Sequence, residues 1–171
     1  MLHFAFQFPG PVAIRYTRGT AYQGFSDKEA QVELGCAETL IEGKGQTKIA
    51  LLALGSMVST AAHIVEKMEK KGVSLSLVNA RFAKPIDEKL LDRLSEEGYR
   101  KILTLEEGAL SGGFGEAVLR YMALHHQGVF VENVTLPDCY VEHGDVSALR
   151  KMLKMDYDSI IERLEEEGLF D

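Results

Sequence analysis

Two arginines pose the first chemical question in this sequence. Arg15 and Arg18 flank Tyr16-Thr17, and Gly19 follows. A guanidinium fork suits a phosphate or carboxylate through paired hydrogen bonds, and it equally suits a surface ion pair. Residue type alone leaves both readings open. Further along, Glu106 and Glu107 close an apolar run, where a carboxylate could act as general acid or base. Neighbouring strand residues point to opposite faces, so the two are not a natural catalytic dyad. The expectation is one solvated carboxylate and one hydrogen-bonded at a domain contact. Ser111-Gly112-Gly113-Phe114-Gly115 occupies the setting of a phosphate-binding loop, after an apolar run and before a helical pattern. It matches neither Gly-x-Gly-x-x-Gly nor the P-loop pattern, so a tight glycine turn is the simpler reading. His143, with Asp138 and Glu142, imitates a metal cluster but lacks zinc spacing. His125-His126 fits the C-terminal end of a helix, where the dipole favours a cation. No catalytic, cofactor-binding or metal-binding residue is assigned from these patterns.

The elements that carry these residues alternate regularly. Pro11 to Tyr16 reads as a short strand with Val12, Ile14 and Tyr16 on one face, and Thr17 to Ala30 as a polar connector. Glu38 to Ile41 suggests part of a strand pair turning at Gly43 and Gly45. Ile49 to Leu54 is a continuous apolar run, as expected of a strand covered on both faces. Val58, Ala61, Ala62, Val65 and Met68 then follow helical spacing, with Gly72 as the stop. Val73–Val78, Tyr99–Leu105 and Val129–Leu136 read as further strands. Helical stripes lie between them, through Leu90, Leu91 and Leu94 and through Phe114, Ala117, Val118, Tyr121 and Leu124. Asp87 and Asp145 are placed to cap helices, and 158–167 closes the chain as a last helix. This alternation predicts an α/β fold in three layers, α/β/α, around a mostly parallel sheet.

Composition narrows the function classes. A chain of 171 residues is long enough for one domain with an appendage, and its formal charge of -7 argues against a general nucleic-acid binder. With 46% hydrophobic and 26% charged residues it reads as globular. No apolar run approaches the ~20 residues that span a bilayer, and Pro9-Gly10 follows too soon for a signal-peptide core. Cys36 and Cys139 form no Cys-x-x-Cys unit and suit reduced thiols in a cytoplasmic protein.

Several blocks, taken in order, resemble one family. Gly10-Pro11-Val12-Ala13-Ile14-Arg15-Tyr16-Thr17-Arg18-Gly19 is similar to the Gly-Pro-x-x-x-Arg-Tyr-Pro-Arg-Gly segment of the 1-deoxy-D-xylulose-5-phosphate synthases, which are transketolase-like enzymes. Leu51–Val58, Asn79–Asp87, Leu105–Gly108, Gly112–Gly115, Leu136-Pro137-Asp138 and Glu142-His143-Gly144 continue in family order. The resemblance implies the C-terminal portion of a longer enzyme. Residues 1–30 would be the tail of its pyrimidine-binding domain, including one remnant strand, plus linker. Residues 31–171 would be a transketolase-type C-terminal domain.

The family condenses pyruvate with glyceraldehyde 3-phosphate, releasing carbon dioxide, with thiamine diphosphate and Mg2+, and so opens non-mevalonate isoprenoid biosynthesis and feeds thiamine and pyridoxal synthesis. Its cofactor-holding motifs lie upstream of the matched region, which implies that this piece alone binds no cofactor and is inactive. Partners implied are the upstream domains, a second subunit of a homodimer and the two substrates, with no nucleic acid and no membrane. Of the family's substrate-contacting residues only Arg18 has a counterpart here, holding the aldehyde's phosphate. Thr17 stands where the family has proline, and Gly35-Cys36-Ala37 where it has Gly-Lys-Gly. Two alternatives remain. One is the equivalent portion of a transketolase or a 2-oxoacid dehydrogenase β subunit. The other is a non-catalytic interaction module of the same fold.

Overall fold

Apolar runs build the centre of this molecule, and the pleat distributes them. In the segment Ile49–Ala53 every residue is buried. Ile49, Leu51 and Ala53 enter one core cluster, while Ala50 and Leu52 enter another. That is the period-two alternation of a strand covered on both faces. The computed structural model describes residues 1–17, 22–25, 31–44 and 48–169. In chain order the elements are α1 (Leu2–Gln7), β1 (Glu38–Ile41), β2 (Ile49–Ala53), α2 (Met57–Lys70), β3 (Ser76–Asn79), α3 (Glu88–Glu96), β4 (Lys101–Ala109), α4 (Phe114–His125), β5 (Phe130–Leu136), α5 (Val146–Met152) and α6 (Tyr157–Glu166).

The five strands form one sheet in the order β1-β3-β2-β4-β5. All neighbours pair in parallel except β1, which runs antiparallel along β3. One face carries α2 and α6, through Met57, Ile64, Met68, Ile160 and Leu164. The other carries α3 and α4, through Leu90, Leu91, Leu94, Phe114, Val118 and Met122. The three-layer expectation is met. From β2 the chain crosses outward to β3, whereas from β4 it crosses outward the other way to β5. The strand order therefore reverses between β2 and β4, and a crevice opens beyond their carboxyl ends.

Local chemistry sets the helix starts. The Asp87 side chain accepts from Leu90 N, and its other oxygen accepts from Ala37 N at 2.8 Å, tying α3 to the segment before β1. Asp145 caps α5 through Ser147 N and Ala148 N, and Asp156 caps α6 through Asp158 N and Ser159 N. Each such cap is worth about 1 kcal/mol.

Two expectations fail. The strand predicted over Pro11–Tyr16 joins no sheet, and the regular structure at this end is the short helix α1. A strand needs a ladder partner, and here Val12 and Tyr16 are left exposed. The predicted strand pair turning at Gly43 and Gly45 is instead a single strand, β1, with its partner in β3. Gly43 N donates to Ser76 Oγ at 2.9 Å, so the chain leaves β1 along the sheet rather than turning back. Gly45 lies outside the described residues.

Candidate functional site at the carboxyl end of the sheet

β4 delivers two carboxylates to the crevice, and its ladder with β5 is irregular between Leu105 and Ala109, where they sit. Irregular pairing of this kind re-aims side chains. Glu106 is buried, and its carboxylate accepts from Phe114 N at 3.1 Å and Gly115 N at 2.7 Å. It therefore occupies the start of α4, where orphan backbone donors and the helix dipole favour negative charge. The glycines exist for this approach. A Cβ on Gly113 would lie 2.4 Å from Ala109 O and 2.7 Å from Glu106 Oε1, and one on Gly115 would lie 2.5 Å from Asn133 Oδ1.

This decides the Ser111–Gly115 question. The turn has an anion already, supplied by its own chain, so it offers no cradle to a diphosphate. Nor, among the described residues, does any group of three or more His, Cys, Asp or Glu side chains have the arrangement to hold a metal ion. Neither this turn nor any such cluster among the described residues fits thiamine diphosphate and its cation.

Glu107 points the other way, as the pleat requires. Its Oε2 accepts from Ser56 Oγ at 2.6 Å, at the start of α2, and its Oε1 accepts from Arg150 Nε at 3.0 Å and Nη2 at 2.6 Å, from α5. Its backbone carbonyl accepts from Arg15 Nη2 at 2.6 Å. Burial pushes the Glu107 carboxyl up, but the Ser56 and Arg150 hydrogen bonds and the charges of Arg150 and Arg15 outweigh it and hold the pKa below the ordinary value. One residue thus joins β4, α2, α5 and the N-terminal segment across the reversal point. The expectation that one of the two glutamates is solvated is wrong, because each is committed to a different helix. Glu106 bonds to the next helix of its own sheet, while Glu107 meets Arg15 of the N-terminal segment through its backbone carbonyl.

Arg15, Glu107, Leu136, Val141, Leu149 and Arg150 are among the residues lining an open cavity of about 260 Å3. Arg18 lies outside the described residues. His143, Asp138 and Glu142 are exposed and do not form a cluster. His126 Nε2 and Tyr121 Oη both meet Asp92 Oδ1, at 2.6 and 2.8 Å, at the polar end of α4. Hydrogen bonds from His126 and Tyr121 hold Asp92 below the usual carboxylate range, and the Asp92 bond pushes the Tyr121 phenol up to about 12. Cys36 and Cys139 are free thiols, as expected. Ser56 and Arg150 had no signal in the sequence, where one reads as a turn residue and the other as an ordinary helix cation.

Comparison with known proteins places this geometry in a family. The model for "Transketolase, C-terminal domain" matches residues 37–160. The 1-deoxy-D-xylulose-5-phosphate synthase of Lachnoclostridium phytofermentans is 39% identical over 165 residues, covering 96% of this chain and 26% of that protein. Its namesake from Brevibacillus brevis is 41% identical over 157 residues, covering 91% and 24%. The chain thus spans about a quarter of the length of the curated relatives it matches. Among solved structures, a split-gene transketolase described as an inactive β4 tetramer superposes with a TM-score of 0.73 at 23% identity, covering 82% of this chain and 45% of that one. A transketolase from Pichia stipitis superposes at 0.52 with 16% identity, covering 76% and 17%. At those identities the structural likeness speaks to fold alone.

Proposed function

Because this chain belongs to the transketolase C-terminal domain family, we propose that it is the C-terminal portion of a cytoplasmic 1-deoxy-D-xylulose-5-phosphate synthase. The observation that carries the reading is 36–41% identity across most of the chain to several bacterial proteins of that name. The parent would join pyruvate to glyceraldehyde 3-phosphate with loss of carbon dioxide, as a homodimer. Thiamine diphosphate with Mg2+ would supply the carbanion chemistry from upstream domains. Residues 1–30 would close the preceding domain, and residues 31–171 would form the C-terminal one.

Within that parent, the residues of this chain position and hold. Arg18 would grip the phosphate of the aldehyde, remote from the reacting carbonyl, so that the aldehyde faces the nucleophile in one orientation. Arg15, three residues earlier, anchors the same segment to Glu107 O. Glu107 binds the start of α2 and the middle of α5 to that anchor. The assembly supplies rigidity beside a substrate-contacting arginine, and no proton transfer is assigned to it.

A chimera tests the reading. The matched quarter of the Lachnoclostridium phytofermentans protein is replaced by this chain, and condensation of pyruvate with glyceraldehyde 3-phosphate is assayed. Activity within tenfold of the unmodified relative supports the assignment. A folded chimera that decarboxylates pyruvate but forms no condensation product would refute it.

A further inference from the structure

We propose that the cavity between the N-terminal segment and α5 binds a small amphipathic carboxylate, with one negative charge on a compact apolar body. The proposal stands whichever reaction the parent performs. It begins from charge. Arg150 gives Nε and Nη2 to the Glu107 carboxylate, and the two charges answer each other. Arg15 gives Nη2 to a neutral partner, the Glu107 backbone carbonyl. Its Nε and Nη1 have no hydrogen-bond partner among the described residues, and the guanidinium stands exposed at the cavity wall with its charge acting on the Glu107 carboxylate. Two guanidiniums, Arg15 and Arg150, line the cavity with one carboxylate, Glu107, so its charge balance favours one added anion.

The rest of the lining is apolar. Leu136, Val141, Leu149 and Leu153 face the same space. Helix α5 contributes no buried residue to the core, and Val146 and Met152 are exposed. Leu149 is only half-buried, so part of its apolar surface stays open to the cavity, while Leu136 and Leu153 also pack on the core. The volume of about 260 Å3 corresponds to roughly nine waters at ~30 Å3 each. That is room for a ring or a short branched chain carrying one carboxylate. The site also lies at the carboxyl ends of β4 and β5, the side of the sheet on which open α/β folds take ligands.

The same features argue against other chemistries. A phosphate dianion brings a second charge with no second guanidinium in excess among the described lining residues, and no apolar body to displace water from the leucines. A neutral apolar molecule leaves the excess positive charge unmet.

The test uses the 171-residue chain and three probes of matched size or charge: phenylacetate, phenylacetamide and inorganic phosphate. Methyl and amide NMR shifts are followed at neutral pH. Phenylacetate should give saturable shifts at Leu136, Val141 and Leu149. Phenylacetamide and phosphate should bind at least ~10-fold more weakly, the loss expected for one charge-assisted hydrogen bond. Arg15→Gln keeps a donor for Glu107 O but removes the charge. It should weaken phenylacetate by about tenfold and leave phenylacetamide unchanged, with Arg15→Lys recovering part of the difference. Phosphate binding as tightly as phenylacetate would overturn the proposal. So would unsaturable phenylacetate shifts, or an Arg15→Gln protein that binds phenylacetate normally.

Discussion

Removing the Glu106 carboxylate should destabilise the domain more than any change at neighbouring Glu107. In Glu106→Ala the backbone N–H groups of Phe114 and Gly115 lose their acceptor inside the protein, since Glu106 is only 4% exposed and supplies the one acceptor side chain they have among the described residues. Each buried donor left unmet costs about 1–3 kcal/mol, and the helix start loses a favourable charge worth up to ~1 kcal/mol. Against this, the parent protein no longer has to desolvate a carboxylate, which offsets part of the loss. A net cost near ~3 kcal/mol follows, or roughly 6–12 °C in Tm for a chain of this size. Glu106→Gln keeps one acceptor oxygen and turns an NH2 toward the second donor, so it should fall between parent and alanine variant. The assay is urea and thermal unfolding followed by far-UV circular dichroism, with amide exchange read at Phe114 and Gly115. Exchange there should accelerate more than in β2. An alanine variant within ~0.5 kcal/mol of the parent, or a glutamine variant worse than alanine, would refute the account.

Three further outcomes follow from the same geometry. The Glu107 carboxyl is held below its ordinary value, so its stabilising contribution is complete above the unfolded glutamate pKa of ~4.3 and is lost as pH falls through the folded value. NMR signals from Arg15 and α5 should therefore shift only on acidification below the ordinary glutamate value of ~4.3, and Glu107→Gln should abolish that transition. The Tyr121 phenol, pushed up to about 12 by Asp92, should ionise after ordinary tyrosines in an ultraviolet titration, and Asp92→Asn should return it toward 10.0. In the chimeric synthase, Arg18→Ala should reduce efficiency for glyceraldehyde 3-phosphate by at least ~30-fold, from ~2 kcal/mol of lost pairing. Pyruvate decarboxylation should change far less, and equal losses in steady-state kinetics would mean a structural arginine.

What was legible in the sequence was what acts over short range. Asp87 and Asp145 cap helices through amides two or three residues on, so composition and spacing reveal them. The apolar stripe through Leu90, Leu91 and Leu94 likewise shows its face directly, whereas on α4 Phe114 and Val118 are buried as read but Met122 takes the inner position and Leu124 is exposed. The site was harder to see because its bonds are long-range. Ser56 reaches Glu107 across 51 positions, and Arg150 reaches it across 43. Strand alternation did announce that Glu106 and Glu107 diverge, but not what waits on either side. Pro11–Tyr16 failed for a complementary reason: alternation describes a face, and a face makes a strand only when another strand lies beside it.

Among the contacts of described residues 1–17 with the body are the edge-on packing of Phe4 on Phe82, with ring centroids 5.7 Å apart, and the Arg15 hydrogen bond to Glu107 O. Two modest attachments on one short tether behave as a bivalent ligand. While either holds, the other is kept at an effective concentration near the millimolar range for a short flexible linker, and neither needs to be strong alone. Breaking one therefore costs more than its own contact energy, because the survivor must hold against the full freedom of the tether. Substitutions at Phe4 and Arg15, although these residues do not touch, should accordingly prove non-additive.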